Sequence, residues 1–390
     1  MTARWVFPVS GEPLEQGVVE VQSGRIVAVH HRPDRHAINL GNVALLPGLI
    51  NAHTHLEFSD LPRPVEPALP FTHWIKSLVS VRRTTPATAA VIQQGLSECV
   101  SHGTSRVGEI ATQDWPNDTY DQPSVRTIVF RELLGLLPDR AATQLEIARQ
   151  WLDAADQNTP CITRGLSPHA PYSVHPDLYR DLVKLAAERQ APLAIHLAET
   201  PAELELLDRG TGEFVEMLQR FNAWDPQIIP LGTRPLDYLR PLADVSRALV
   251  VHGNYLESAE FDWLENHPQV SVIYCPRTHA YFQHPPHPWR TLLNRGINVA
   301  LGTDSRGSNP DLSVWREMQF LAKAFPDIDP AQIVSLGTQA GARALGHEAE
   351  SGTLEPGKRA DFATVPLPST EGNPYQLLFS GHEAVPIPVA

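Results

Sequence analysis

Two hydrophobic rhythms alternate along most of this chain. Short apolar runs rich in Val, Ile and Leu recur at 43–55, 104–110, 124–135, 161–169, 192–199, 248–254, 270–276 and 297–305. Between several of them apolar residues return every three or four positions, most clearly at 88–103, 142–156, 175–190 and 258–268. That is the period of a one-sided helix, and Gly, Asn or Pro follows several of these stretches as a stop signal. Eight strand candidates alternating with helices predict an α/β fold, a (β/α)8 barrel of the TIM type. A doubly wound parallel sheet is the rival. The count of eight, with polar chemistry at nearly every strand end, favours the barrel.

The flanks read differently. Residues 17–30, "GVVEVQSGRIVAVH", alternate apolar and polar about a Ser-Gly turn and predict a hairpin. Residues 352–367, "GTLEPGKRADFATVPL", are β-like again and are expected to pair with that hairpin in a small β-sandwich domain. The expected division is 1–46 for the first part of the small domain, 47–348 for the barrel and 349–390 for the remainder. The last stretch, 368–390, has weak signals and is assigned no element.

Composition narrows the function classes. The 390 residues carry a net charge of −13 and no Lys/Arg cluster resembling a nucleic-acid face. Nucleic acid and anionic membrane are therefore not expected partners. The three cysteines, Cys99, Cys161 and Cys275, form no C-x-x-C, which argues for a reducing compartment and against a disulfide framework. The N-terminus has no apolar signal core and no apolar run approaches membrane-spanning length. A cytoplasmic enzyme is expected, partnered by a small-molecule substrate and by a second copy of itself as a dimer.

The candidate chemistry begins at "PGLINAHTHLEFS", residues 47–59, where an apolar strand ends in His53 and His55. On a strand, residues two apart face the same way, so both imidazoles can reach one metal ion. Three further titratable groups close later strands: His196 in "AIHLAET", His252 in "VVHGN" and Asp304 in "ALGTDS". Any one of these histidines alone reads as a packed or capping residue. Five such groups at the strand ends of one barrel, where barrel active sites lie, read as a site. Three His and one Asp suit an open mononuclear centre.

These motifs, "PGLINAHTH", "HLAE", "VVHGN", "LGTDS" and "GTLEPGKRADF", resemble the amidohydrolase superfamily, and within it the cytosine deaminase/chlorohydrolase branch. The resemblance runs from about Gly24 to Phe362. It implies His53, His55, His196 and Asp304 as metal ligands, Glu199 as the proton-shuttling glutamate and His252 as a histidine beside the metal. One divalent ion is implied, zinc first, with iron or manganese as substitutes. Binuclear relatives carry a bridging lysine at the end of strand four; here that strand reads "CITRGLSPHAPYS" without one, which argues for a single ion. The unrelated zinc deaminase signature of H-x-E with P-C-x-x-C is absent.

The residues agree with these roles. A zinc-activated water is a nucleophile at neutral pH. Asp304 would take its proton, Glu199 would protonate a ring nitrogen, and His252 would hydrogen-bond the attacking oxygen. The expected reaction is hydrolytic deamination of an amino-substituted N-heterocycle. His169, at the mouth of strand four, and Arg277, in "CPRTHAYF", are candidate substrate contacts, with Glu57 and Trp74 beside them; Glu132, His279 and Arg306 are further candidates. So many polar residues suit a base bearing a sugar, and the resemblance points to an adenosine-like nucleoside such as 6-amino-6-deoxyfutalosine. The alternatives are a free base or a triazine losing another leaving group, and a metal-holding protein without catalysis.

Overall fold

All eight expected strands are present in the computed structural model, which describes residues 1–31, 36–120, 122, 124–154 and 161–387. They are β1 (Leu49–Thr54), β2 (Thr104–Ala111), β3 (Arg126–Leu133), β4 (Ile162–Pro168), β5 (Leu193–Leu197), β6 (Ala248–His252), β7 (Val270–Tyr274) and β8 (Val299–Leu301). Each pairs in parallel with the next in chain order. The ring closes where the backbone N–H groups of Thr303 and Asp304 donate to the His53 carbonyl at 3.0 and 3.1 Å. Gly302 makes this closure possible: a Cβ there would stand 2.9 Å from both the Cβ and the carbonyl oxygen of His53.

Strand alternation sorts the apolar residues onto two faces. Ile50, Ile128, Phe130, Ala194, Leu249, Ile273 and Ala300 fill the barrel interior. Val107, Val129, Leu193, Val250, Val272 and Val299 face outward into the larger core beneath the helices. The four expected helices appear as Ala89–Ser101, Pro138–Asp153, Pro176–Glu188 and Ser258–Glu265; residues 155 and 156 of the second expectation lie outside the described residues. In Pro176–Glu188 the buried stripe Leu178, Leu182 and Leu185 repeats at four and three, as an amphipathic helix requires.

The run at 43–55 is two strands. Val43–Pro47 belongs to a separate sheet and β1 to the barrel. The chain crosses between them at Gly48, where a Cβ would meet Ser105 Oγ at 2.5 Å. This separate mixed sheet has the order Val385–Ile387, Phe362–Pro366, Val43–Pro47, Trp5–Val6, Leu14–Glu15. The expected hairpin is present as Val18–Gln22 and Arg25–His30. The hairpin pairs with the tail through an antiparallel bridge between Arg25 and Arg359, where Ile26 N–H donates to Lys358 O at 2.8 Å, while the strand Phe362–Pro366 itself runs antiparallel to Val43–Pro47. The stretch 368–387 adds the helix Pro374–Phe379 and the edge strand Val385–Ile387; residues 388–390 lie outside the described residues. Among the described residues no helix is long and apolar enough to cross a membrane.

Candidate active site

The C-terminal mouth of the barrel gathers the titratable strand ends. His53 does not get there by simple alternation, since Ile50 and Ala52 already point inward. The register against β2 shifts between Asn51 and Thr54, and such an irregularity re-aims the following side chains. His252 and Asp304 are re-aimed by positive φ, 68° and 56°, a conformation non-glycine residues rarely hold and one that costs on the order of 1–3 kcal/mol.

The result is a tight cluster. Ligand atoms of His53, His55 and His196 lie within 4.8 Å of one another. Asp304 Oδ1 is 3.8 Å from His53 Nε2 and 3.7 Å from His55 Nε2. His196 Nδ1 donates to the His169 carbonyl at 3.0 Å, which leaves its Nε2 free. Burial drives the His55 and His196 imidazoles well below their usual pKa, so both are neutral, the form that ligates metal. His53 Nε2 and His55 Nδ1 are buried with no hydrogen-bond partner. A cluster of imidazoles with orphaned nitrogens and a carboxylate alongside fits a divalent cation.

The Asp304 carboxylate is oriented by Ser305 N–H, donating to Oδ1 at 2.7 Å, and by Ser308 Oγ, donating to Oδ2 at 3.0 Å. Burial opposes its ionisation, but the His53, His252 and His55 imidazoles around it outweigh that and hold it below the usual carboxylate range. It remains an anion and an acceptor.

Glu199 is the opposite case. Burial first, then repulsion by Asp304 and Glu203, raises its pKa well above the usual range, which favours the protonated form. Its peptide is clamped on both sides. Glu203 Oε2 accepts from Glu199 N–H and Oε1 from Ala198 N–H, each at 2.9 Å, while Asn254 Nδ2 donates to the Glu199 carbonyl at 2.9 Å. His252 Nε2 stands 3.4 Å from Glu199 Oε1, and burial lowers the His252 pKa to about 3. Its backbone is held by His287, whose Nε2 donates to the His252 carbonyl at 2.7 Å while Nδ1 accepts from Trp289 N–H.

Above the cluster opens a cavity of about 650 Å³, within the roughly 300–1,000 Å³ of small-molecule sites. Trp74, Glu132 and His169 line it as candidates, and Tyr172 joins them. Burial lowers His169 to about 3. Glu57 is not on the wall; it accepts from Thr112 Oγ1 at 2.9 Å and pairs with Arg82, which is on the wall.

Arg277 requires a correction. Its Nε meets Glu317 Oε1 at 2.6 Å, and Nη2 and Nη1 meet Asp311 at 2.6 and 2.9 Å. The guanidinium is consumed by two buried carboxylates and does not line the cavity. Its neighbour Thr278 hydrogen-bonds Ser308 Oγ at 2.9 Å, so this segment supports Asp304 from behind. His279 packs against Tyr274, His284 and His287 away from the cavity wall. Arg306 pairs with Glu98 at 2.9 Å. Glu203, Asn254, His287 and Tyr172 went unpredicted. Only Glu203 had a usable signal, four residues after Glu199 across a Thr200 cap and Pro201.

Comparison with known proteins agrees with this architecture. A sequence model of the amidohydrolase family matches residues 44–383. An aminodeoxyfutalosine deaminase of Deinococcus radiodurans is 31% identical over 354 residues, covering 85% of this chain and 81% of that protein. The crystal structure of Helicobacter pylori aminofutalosine deaminase with methylthio-coformycin superposes with a TM-score of 0.83 at 24% identity, covering 98% of this chain and 96% of that one. An adenosine deaminase from Xanthomonas campestris, solved with bound zinc, gives a TM-score of 0.77 at 27% identity, covering 99% and 91%. With the family matched over most of its length and the barrel-mouth cluster in place, the chain belongs to the amidohydrolase family.

Proposed function

We propose that this protein is a metal-dependent aminohydrolase that converts an adenosine-like nucleoside to its 6-oxo product and ammonia, with aminodeoxyfutalosine as the leading substrate. One observation carries the reading: the buried Glu199 carboxyl stands 3.4 Å from His252 Nε2 beside the His53, His55 and His196 cluster. Merely holding a metal has no use for that pair. The Deinococcus radiodurans relative and the zinc-bound Xanthomonas campestris enzyme carry deaminase names, which supports the same chemistry here.

The roles follow from the chemistry of each group. His53, His55, His196 and Asp304 would hold one zinc ion, which when bound supplies Lewis-acid activation of water. Asp304, kept anionic, accepts a proton from the attacking water. Glu199 donates its proton to the ring nitrogen next to the amino-bearing carbon, so charge does not build up on the ring. His252 hydrogen-bonds the oxygen being added. Return of a proton to the amino group lets ammonia leave. His169, Glu132 and Trp74 contact the nucleoside. In this reading residues 47–348 carry catalysis, while 1–46 and 349–390 form the supporting β unit.

The test is a panel assay with zinc-loaded protein. Ammonia release is measured from adenosine, methylthioadenosine, aminodeoxyfutalosine, guanine, cytosine and a chloro-triazine. The adenosine-like compounds are expected to lead in kcat/KM. A free base or the triazine in front would overturn the substrate assignment.

A further inference from the structure

The closed end of the barrel, opposite the metal cluster, gathers arginines. Ile110 and Ile128 point into the barrel interior. Arg106 stands four residues before Ile110 on β2 and Arg126 two before Ile128 on β3, so alternation aims both inward at the strand starts. The two are register partners. Arg247 immediately precedes β6. The helix Gln339–Leu345 covers this end: its Ala342, Ala344 and Leu345 join the interior cluster, and its Ala340 carbonyl accepts from Asn298 Nδ2 at 3.0 Å. Arg247 donates to the Arg343 carbonyl of the same helix. His347 follows it. Burial first, and then Arg106, lower the His347 pKa to about 4, with Arg126 and Arg247 acting the same way and Glu350 against them.

Arg106 is the most deeply placed of these groups, at 1% exposure. Its Nη1 donates to the Ser105 carbonyl at 2.8 Å and meets Asp361 Oδ2 at 3.0 Å. Its Nε and Nη2 are buried with no hydrogen-bond partner. These two nitrogens form one edge of the guanidinium, the planar fork that grips an oxyanion through two parallel N–H bonds. Asp361 is the carboxylate paired with Arg106 among the described residues, and its Oδ2 is shared with Arg359 Nε at 3.1 Å. Glu350 and Glu348 lie beside other arginines, 3.7 Å from Arg25 and 3.9 Å from Arg247. One carboxylate between Arg106 and Arg359 leaves a positive charge unmatched. Burying a charge and its donors without a partner is costly, so the bare fork calls for an anion.

We propose that the Nε–Nη2 edge of Arg106 binds a small monovalent oxyanion of carboxylate-like shape at the closed end of the barrel. Two oxygens on one side of such an anion match the two N–H groups of the fork. A single negative charge balances the surplus left by the shared Asp361. The position gives the anion a structural task. Asp361 immediately precedes the strand Phe362–Pro366 of the separate sheet. Its carbonyl accepts from the N–H of Gly48 at 2.8 Å, where the chain crosses from that sheet into β1. An anion held by Arg106 therefore stabilises the joint between the small β unit and the barrel. It acts at the opposite end from the metal cluster, independently of the reaction proposed above.

Nitrate is the probe, being planar, monovalent and free of titration near neutrality. Crystals of the zinc-loaded protein are grown in sodium nitrate. In solution, Tm is followed for wild type and Arg106→Lys as nitrate replaces fluoride at constant ionic strength. Lysine keeps the charge but has no fork, so the difference between the two proteins removes the general effect of the salt. The crystals are expected to show flat trigonal density with two oxygens against Arg106 Nε and Nη2. The Tm of wild type relative to the variant should rise by about 2 °C for each tenfold increase in nitrate above its Kd. A water molecule or chloride in the fork would overturn the proposal, and so would parallel Tm responses of the two proteins. If Arg106→Lys does not fold, the wild-type crystals decide alone.

Discussion

His252 Nε2 lies 3.4 Å from Glu199 Oε1, and neither side chain is more than 7% exposed. Burial lowers the pKa of the histidine and raises that of the carboxyl, so the contact favours a neutral pair over an ion pair. A neutral donor–acceptor pair avoids the desolvation cost of a buried ion pair and leaves a transferable proton at the mouth of the barrel.

Replacing Glu199 by Gln keeps the size and polarity of the side chain but removes the proton. The variant is expected to bind metal normally and to lose at least ~100-fold in kcat, within the usual contribution of a general acid/base. Steady-state kinetics with elemental analysis of the same sample decides. Loss of metal would mean that Glu199 holds the ion or its ligands, and near-normal turnover would make it a bystander.

The donor set at the barrel mouth predicts one tightly held divalent ion per chain. Removing it with a chelator should abolish turnover and lower Tm, because an ion bound only by the folded state adds stability that grows with its concentration, about 2.7 kcal/mol at a hundred times its Kd. His55→Ala should lose both the ion and that stabilisation. Two ions per chain by elemental analysis would contradict the mononuclear assignment.

Glu203 supplies a pH test. Burial raises its pKa from 4.5 to about 7, against hydrogen bonds from the Glu199, Ala198 and Thr200 backbone that work to lower it. A carboxyl with a raised folded-state pKa contributes stability that is fully present below its unfolded value and is lost as pH rises through the folded one. The window is therefore between about pH 4.5 and 7. Against Glu203→Gln, wild type should gain relative stability on going from the top of that window to the bottom. Urea denaturation at both ends measures it; a constant difference between the two proteins would show that Glu203 does not titrate there.

Glu203→Ala tests the clamp itself. It leaves the buried N–H groups of Ala198 and Glu199 without their acceptor, at about 1–3 kcal/mol for each unsatisfied group. Loosening the Glu199 peptide should lower kcat more than it raises KM. A rise in KM alone would show that the clamp shapes the substrate pocket and leaves the acid in place.

For Arg277, truncation to Ala is expected to cost about 3–5 kcal/mol of stability, the range for removing one partner of a buried ion pair, because Asp311 and Glu317 would remain buried together. KM should stay near wild type for the protein that remains folded. Unchanged stability with a raised KM would restore Arg277 as a substrate contact.

The hydrophobic rhythm and the polar strand ends were sufficient, on their own, to specify the eight-stranded barrel and the residues that meet at its mouth. Both properties are local. Strand and helix periods are written in consecutive residues, and parallel pairing in chain order brings successive strand ends to one rim. His196, for instance, lies two residues beyond the inward-facing Ala194 and reaches the site by alternation alone. The apolar run at 43–55 was equally legible as β structure, but its division at Gly48 was not, since that depends on Ser105, a residue distant in sequence.

Tertiary structure decided what each polar side chain is free to do. Nothing in "CPRTHAYF" shows that Arg277 is spoken for, because its partners Asp311 and Glu317 follow it by 34 and 40 positions. His53 and His252 reach the site through a register shift and a positive φ, neither of which hydrophobic patterning encodes. Arg83, Arg140 and Arg220, far apart in sequence, come together only where three helix ends surround one cavity. The physical reason is common to all of these. A residue's intrinsic preferences act within a few positions of chain, whereas its charge state, its partners and its access to substrate are set by through-space interactions whose distances exist only once the chain has folded.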